Sequence, residues 1–279
     1  MKERQTVSTA DFKYIRDLVR DQCALTLEAG KEYLLEARLD PLARMEGFAS
    51  FEQLVRRLRA SPFTDLHRRV VEAMTNNETT FFRDPRVFGM LATSVLPALL
   101  AARSAERSLT IWCAACSTGQ EPYSVAMLLR EHQPSLDGWH LRIVASDISR
   151  DVLTRARAGR YTQVEVNRGL PANRLVKYFA QRGASWELSA EIREMVEFRE
   201  INLIQPWQNL PAADLILMRN VLIYFDVAVK KSILEKAGRL LDPHGYLVLG
   251  GAETTTNLDD SFEPVSFGGA VCFRPRASR

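Results

Sequence analysis

Leu109-Thr110-Ile111-Trp112-Cys113-Ala114-Ala115-Cys116-Ser117-Thr118-Gly119-Gln120-Glu121-Pro122 is where the texture of the chain changes. An apolar run of strand length, residues 109–115, ends in small residues and a single glycine. Pro122 suits the first turn of the helix expected over residues 121–130. Downstream the same alternation repeats. Strands are expected at 141–146, 196–199, 214–218 and 246–249, and helices at 149–158 and 227–241. Strands alternating with helices mean a parallel sheet covered on both faces. The last run, 270–273, follows Gly268-Gly269 too closely for a crossover helix, so it reads as an antiparallel strand at or near the sheet edge. The expected architecture is α/β, a seven-stranded sheet with one reversed strand.

The stretch 159–194 breaks the alternation. It carries Gly159, Gly169, Pro171 and Gly183, and the segments 177–181 and 186–188 flank a short turn. A small β-rich insertion fits it better than another strand-helix unit. Upstream of residue 80 the pattern is helical throughout. Phe12, Ile15, Val19 and Cys23 recur at helical spacing after Ser8-Thr9, which can cap a helix start. Residues 32–45 continue that character. Ser50 caps a short helix with Phe51, Leu54, Val55 and Leu58 on one face and Arg56, Arg57 and Arg59 off it. Another helix is expected over 66–74. The domain reading is therefore a helical lobe over 1–75, a connecting segment over 76–90, and the sheet domain over 91–279.

Composition bounds the function. The chain has 279 residues, 46% hydrophobic and 25% charged, which excludes a disordered or collagen-like protein. A net charge of +3, from 37 Lys+Arg against 34 Asp+Glu, gives no bulk electrostatic case for nucleic acid. Four cysteines make no disulfide framework. The opening MKERQTVSTADF has no apolar signal core, and no run reaches the ~18 uninterrupted apolar residues of a membrane span. A cytoplasmic protein without membrane insertion is expected.

In an open parallel sheet, ligands bind at the carboxyl ends of the strands. The turn 116–122 lets backbone approach a ligand, but its single glycine is not the dinucleotide fingerprint. Glu121 at the helix mouth repels a pyrophosphate and suits an ammonium. Asp147 ends the second strand, where a carboxylate can accept from both ribose hydroxyls, or simply cap the helix at 149–158. The pair of strand ends leaves a nicotinamide dinucleotide and S-adenosylmethionine open; Glu121 and the missing glycines favour the latter. Cys113-Ala114-Ala115-Cys116 has no second Cys/His pair at zinc spacing, so no metal is expected.

Three ordered motifs then carry a resemblance: Asn76-Asn77-Glu78-Thr79-Thr80-Phe81-Phe82-Arg83-Asp84, Ala114-Ala115-Cys116-Ser117-Thr118-Gly119-Gln120-Glu121-Pro122-Tyr123-Ser124, and Arg219-Asn220-Val221-Leu222-Ile223-Tyr224-Phe225-Asp226. Over essentially its whole length the chain resembles the chemotaxis receptor (methyl-accepting protein) glutamate O-methyltransferases of the CheR type. That resemblance implies an S-adenosylmethionine-dependent sheet with a β-subdomain insertion and a helical receptor-docking lobe. It implies that Asn77, Thr79 and Arg83 close over the cofactor, Glu121 holds its methionyl ammonium, Asp147 its ribose, and Asn202 and Leu203 its adenine. Arg219 and Asn220 would line the pocket, and Tyr224 would sit near the methyl group. It places Arg56, Arg57 and Arg59 in docking on a chemoreceptor's helical cytoplasmic domain by a monomeric enzyme. The tight turn 182–185 further implies that no receptor-tail peptide is required. Gln120 departs from the family's usual acid, and Ala252-Glu253-Thr254-Thr255 from its usual Gly-His-Ser-Glu. A non-catalytic S-adenosylmethionine-binding adaptor and a nicotinamide oxidoreductase are the competing readings.

Overall fold

The computed structural model describes residues 8–27, 30, 32–131 and 136–276. The chain divides into two compact units, one of Met1–Asn76 with Tyr224–Val229 and one of Asn77–Ile223 with Lys230–Arg279.

The first unit is built from helices α1 (Thr9–Cys23), α2 (Glu32–Met45), α3 (Phe51–Arg59) and α4 (Asp65–Met74). Ser8 and Ser50 cap α1 and α3, each side chain accepting the amide three residues on. The expected apolar stripes are buried: Phe12, Ile15, Val19 and Cys23 on α1, and Phe51, Leu54, Val55 and Leu58 on α3. His67, on α4, is a buried packing residue. Its Nδ1 accepts the Thr64 amide at 3.1 Å and its Nε2 lies 3.1 Å from the Leu58 carbonyl, which fixes the Nε2–H tautomer.

The sheet of the second unit contains β1 (Ser108–Ala114), β2 (His140–Asp147), β6 (Val196–Glu200), β7 (Ala213–Met218), β8 (Leu241–Leu249), β9 (Phe262–Phe267) and β10 (Ala270–Pro275). Their order is β6-β2-β1-β7-β8-β10-β9. β10 runs antiparallel to both neighbours, so the sheet has seven strands with one reversed, as expected. The reversed strand lies inside the edge. The edge itself is β9, which the sequence pattern did not mark, because Pro264 interrupts its alternation. Proline is tolerated there because an edge strand needs no second ladder. β8 also starts earlier than expected: Ala213 pairs with Leu241, and the register resumes at Leu215 with Tyr246 after a bulge.

The core around the sheet includes Leu109, Ile111, Cys113, Tyr123, Val125, Ile143 and Leu217. Preceding it, Pro85–Ala102 has a mean hydropathy of 1.4 and meets the length and composition of a bilayer span. Arg86, Thr93 and Ser94 hid this from a search for uninterrupted apolar runs. Its Val87, Phe88, Leu91, Val95 and Leu96 belong to the buried core of this unit.

The insertion is a separate three-stranded sheet, ordered β3 (Arg160–Thr162), β5 (Ser185–Leu188), β4 (Phe179–Arg182). Lys177 and Tyr178, expected in the strand, instead end helix α10 (Ala172–Tyr178). Arg182 pairs with Ser185 across a two-residue turn in which Gly183 has φ +60°. That conformation suits glycine and fixes the hairpin register.

Candidate cofactor site

The site grows from the carboxyl ends of β1, β2 and β7. After β1, Ala115 and Ser117 take positive φ values of 53° and 52°, turning the chain sharply. The Cys116 amide bonds the Ser146 carbonyl at 2.8 Å. The Ser117 amide donates to Asp147 Oδ2 at 2.9 Å, and the Ser149 amide donates to Oδ1 at 3.0 Å. Asp147 thus ties the turn after β1 to the turn after β2, while the cap of the following helix is Ser149, whose side chain accepts the Val152 amide. Asp147 is 6% exposed. Burial raises its pKa above the usual carboxylate range, and the amide donors work in the opposite direction.

Helix α7 (Gln120–Glu131) starts directly after this turn. Gln120 is buried and accepts from the Thr118 hydroxyl at 2.8 Å. A neutral amide suits that position, since an acid there carries the desolvation cost of a buried charge. The Tyr161 hydroxyl, from β3, donates to the Thr118 carbonyl at 2.8 Å, so the insertion braces the turn.

Glu121 meets Arg219, which follows β7. Arg219 Nη1 donates to Glu121 Oε2 at 2.7 Å, and Nη2 donates to the Arg83 carbonyl at 3.0 Å. The Arg219 side chain is 2% exposed and that of Glu121 12%. Arg219 Nε is buried without a partner. The segment from Asn77 to Asp84 is fastened to the same place. The Ser117 hydroxyl donates to the Asn77 carbonyl at 2.7 Å, the Phe82 amide to Ser124 Oγ at 2.9 Å, and Arg83 Nη1 to the Glu78 carbonyl at 3.1 Å. Phe82 and Asp84 hold φ values of 47° and 73°. Five of the nine non-glycine residues with positive φ among those described (Phe82, Asp84, Ala115, Ser117 and Asn220) therefore cluster here. Local strain of this kind is retained where surrounding structure enforces it, commonly at functional sites.

On the other flank the Ile201 amide bonds the Asp147 carbonyl at 3.0 Å, bringing Asn202 and Leu203 beside the end of β2. Asn202 Oδ1 accepts the Ile204 amide, and the Leu203 carbonyl accepts Trp207 Nε1. Asn202 lines a cavity of about 280 Å³ together with Ile201, Pro206 and Trp207.

Glu253, after β8, enters the sequence reading only as part of a departure from the family pattern, with no role. Its carboxylate accepts the amides of Asn220 at 2.7 Å, Gly250 at 2.6 Å and Ile223 at 3.2 Å. It thereby holds the turn carrying Arg219 and Asn220. The strand-end rule that found Asp147 finds Glu253 too when it is applied to β8. Tyr224 falls in the first unit, where its hydroxyl accepts from Asn76 Nδ2 at 2.6 Å and its carbonyl from the Thr26 amide. Cys113 and Cys116 are free and buried. Among the described residues no group of three His, Cys, Asp or Glu is placed to hold a metal.

Against known families, residues 77–270 match the model described as CheR methyltransferase, SAM binding domain, and residues 10–75 match CheR methyltransferase, all-alpha domain. The chain belongs to the CheR methyltransferase family. Among its relatives is "Chemotaxis protein methyltransferase 1" of Pseudomonas aeruginosa, 39% identical over 97% of this chain and 100% of the relative. "Chemotaxis protein methyltransferase Cher2" of Pseudomonas putida is 38% identical over 95% and 98%. A Vibrio cholerae "Chemotaxis protein methyltransferase 1" is 36% identical over 96% and 98%. This CheR-family chain is thus an S-adenosylmethionine-dependent methyltransferase, and the nicotinamide reading is closed.

The site residues fit that cofactor. Its amino-acid end is a zwitterion, and Glu121 with Arg219 offers one charge of each sign. The unpartnered Arg219 Nε is a donor suited to a carboxylate. Asp147 retains lone pairs on both oxygens beyond the two amides it accepts.

Proposed function

We propose that this enzyme methylates side-chain carboxylates of glutamates on the helical cytoplasmic domain of a chemoreceptor, giving methyl esters for chemotactic adaptation. The Glu121–Arg219 pair carries the cofactor half of this reading; the relatives' names support methylation in chemotaxis, and the receptor glutamate rests on the resemblance of the three sequence motifs. The proposed cofactor contacts are Glu121 to the ammonium, Arg219 to the carboxylate, Asp147 to the ribose, Asn202 and Leu203 to the adenine, and Asn77, Thr79 and Asn220 to the pocket walls. Tyr224 is proposed near the methyl group.

S-adenosylmethionine supplies an electrophilic methyl on a sulfonium. A glutamate with a reference pKa near ~4.3 is already ionised at neutral pH, so the protein needs no strong base. Its task is to hold a carboxylate oxygen in line with the S–CH3 bond, roughly 3–3.5 Å from the carbon. Arg83 suits that role because its planar fork orients a carboxylate. Arg83→Ala is expected to lower kcat by about 10²-fold while leaving cofactor affinity nearly unchanged. Steady-state kinetics beside calorimetry with S-adenosylhomocysteine checks this; equal losses in both would make Arg83 a cofactor clamp.

Docking is assigned to Arg56 and Arg57, both exposed on α3. Arg59, exposed on the same helix, keeps that proposed role with part of its fork engaged inside the lobe. Its Nη2 donates to the Ala10 carbonyl at 2.8 Å and to Asp11 at 3.1 Å, and its guanidinium lies 4.9 Å from the Tyr14 ring centroid. It ties α3 to α1, a contact invisible at helical spacing. Reversing Arg56 and Arg57 to Glu is expected to raise the receptor KM about tenfold at low salt and flatten its salt dependence. Wild-type receptor kinetics in that variant would return the face to solvent.

The two-residue Gly183-Ala184 turn supports the reading that no tail peptide is needed. Methylation of a receptor lacking its C-terminal tail is expected at the intact rate, and loss on tail deletion would overturn this. The test of the whole proposal is transfer of labelled methyl from S-adenosylmethionine to receptor membranes as a base-labile ester. Cofactor binding without transfer would leave the adaptor reading.

A further inference from the structure

A carboxylate ties each neighbouring pair of strand ends around the cofactor site. Asp147 joins the turns after β2 and β1 through the Ser149 and Ser117 amides. Glu121, through Arg219, joins the turns after β1 and β7. Glu253 joins the turns after β7 and β8. With Gly250 it first closes a turn of its own. The Glu253 amide donates to the Gly250 carbonyl at 2.9 Å, and the Gly250 amide donates back to Glu253 Oε2 at 2.6 Å. Oε2 also accepts the Asn220 amide at 2.7 Å, and Oε1 accepts the Ile223 amide at 3.2 Å.

The bond to Asn220 is the one that reaches the cofactor side. That N–H lies in the peptide plane leaving Arg219, so holding it fixes the direction in which the chain departs from the end of β7. Asn220 has φ +58°, a conformation that is unfavourable for a non-glycine residue and persists where its surroundings enforce it. The two turns are also in close contact. A Cβ on Gly250 would lie 2.6 Å from Glu253 Oε2, 2.7 Å from Asn220 Nδ2 and 2.9 Å from Asn220 N. Gly250 does not have a positive φ, so it is this close approach that demands glycine.

What the hold secures is Arg219. Its guanidinium donates to Glu121 and to the Arg83 carbonyl, and its buried Nε, without a protein partner, is the donor proposed for the methionyl carboxylate. A guanidinium presents its donors in one rigid plane. A change in where the stem begins therefore misdirects Nε even when the ion pair with Glu121 re-forms.

Glu253 differs from Asp147 in its surroundings. Asp147 is buried, whereas Glu253 is half-buried and lines an open cavity of about 770 Å³ with Asp84, Gly250, Gly251 and Thr254. Water from that cavity can take the place of its oxygens when the side chain is cut back, so the amides are rehydrated rather than orphaned. Folding stability then changes little, while the turn loses the group that aims it. We infer that Glu253 is a positioning residue of this enzyme, setting cofactor affinity through Arg219. The inference rests on the proposed contact of Arg219 with the cofactor's carboxylate.

The test is a double-mutant cycle on the full chain, read by calorimetry with S-adenosylhomocysteine below every melting temperature. Glu253→Ala is expected to bind about tenfold more weakly than wild type and to melt within about 3 °C of it. Glu253→Gln keeps an acceptor oxygen for Asn220 and should recover most of the affinity. Gly250→Ala pushes on the same turn with the carboxylate present, and should lose about as much as Glu253→Ala. Combined with Arg219→Met, Glu253→Ala should add almost nothing to the loss seen in Arg219→Met alone, because nothing is left to position. Asp214→Asn is the stability control. It weakens the bonds to Arg103 and to the Thr110 amide at the opposite end of β7, so it should melt lower with cofactor affinity kept. Wild-type affinity in Glu253→Ala, losses that multiply in the double variant, or an equal loss of affinity in Asp214→Asn each overturns the inference. Wild-type affinity in Arg219→Met overturns the contact itself, and the inference with it, so the two failures are told apart.

Discussion

Arg219→Met is expected to cost both cofactor affinity and stability, with the larger loss in affinity. The Arg219 side chain is 2% exposed, and its guanidinium donates to Glu121 and the Arg83 carbonyl together. Removing it leaves a largely buried carboxylate without its cation, a change worth about 3–5 kcal/mol when one partner of a buried pair is deleted. Methionine keeps the bulk, so the loss is electrostatic rather than a cavity. Affinity for S-adenosylhomocysteine should fall at least about 100-fold, because the proposed donor for the methionyl carboxylate is lost while Glu121 is left unpaired. Glu121→Gln separates the two parts. Glutamine can still accept from Arg219 but cannot balance an ammonium, so affinity should fall by about 1.5–3 kcal/mol with the melting temperature nearly kept. Calorimetry and thermal unfolding on both variants decide the matter. Wild-type affinity in Arg219→Met would remove the pair from the cofactor site.

What the sequence disclosed and what it withheld divide along contact range. The turn after β1 and the acid ending β2 were legible because strand, turn and helix are local, and because parallel sheets place ligands at strand ends. The ion pair of Glu121 with Arg219 spans 98 residues, and no periodicity encodes it. The same holds for Arg59, whose partners Ala10 and Asp11 lie on another helix. Lys177 and Tyr178 read as strand beside an apolar run, but the helix begun at Ala172 claims them first. β9 was missed because proline obscures the alternation of an edge strand whose existence depends on pairing with β10. The role of Glu253 is hidden for a different reason: its partners are backbone amides, which leave no trace in side-chain pattern.

Asp147→Ala shows how the structure changes a sequence-based expectation. As a strand-end ligand it would be removable with the fold intact. The structure instead has its carboxylate accepting the Ser117 and Ser149 amides, so alanine leaves two buried donors unpaired at about 1–3 kcal/mol each. A lower melting temperature is expected together with a loss of S-adenosylhomocysteine affinity of about 1.5–3 kcal/mol from the missing ribose acceptors. Acidity separates these effects. Burial lifts the Asp147 pKa above the usual ~3.9, so the native state keeps this proton at pH values where the unfolded chain has released it. Its contribution to stability therefore falls as pH rises from the unfolded value through the folded one. Binding has the opposite sign. Two ribose hydroxyls donate to the ionised form, so affinity should hold at neutral pH and fall about tenfold per unit once pH drops below the raised pKa. The same titration on Asp147→Ala should lose the part of that limb that Asp147 supplies, leaving any part due to Glu121. Calorimetry from neutral pH downward reads both curves, and an acid limb unchanged in position and depth in Asp147→Ala would show that the Asp147 carboxylate does not hold the ribose.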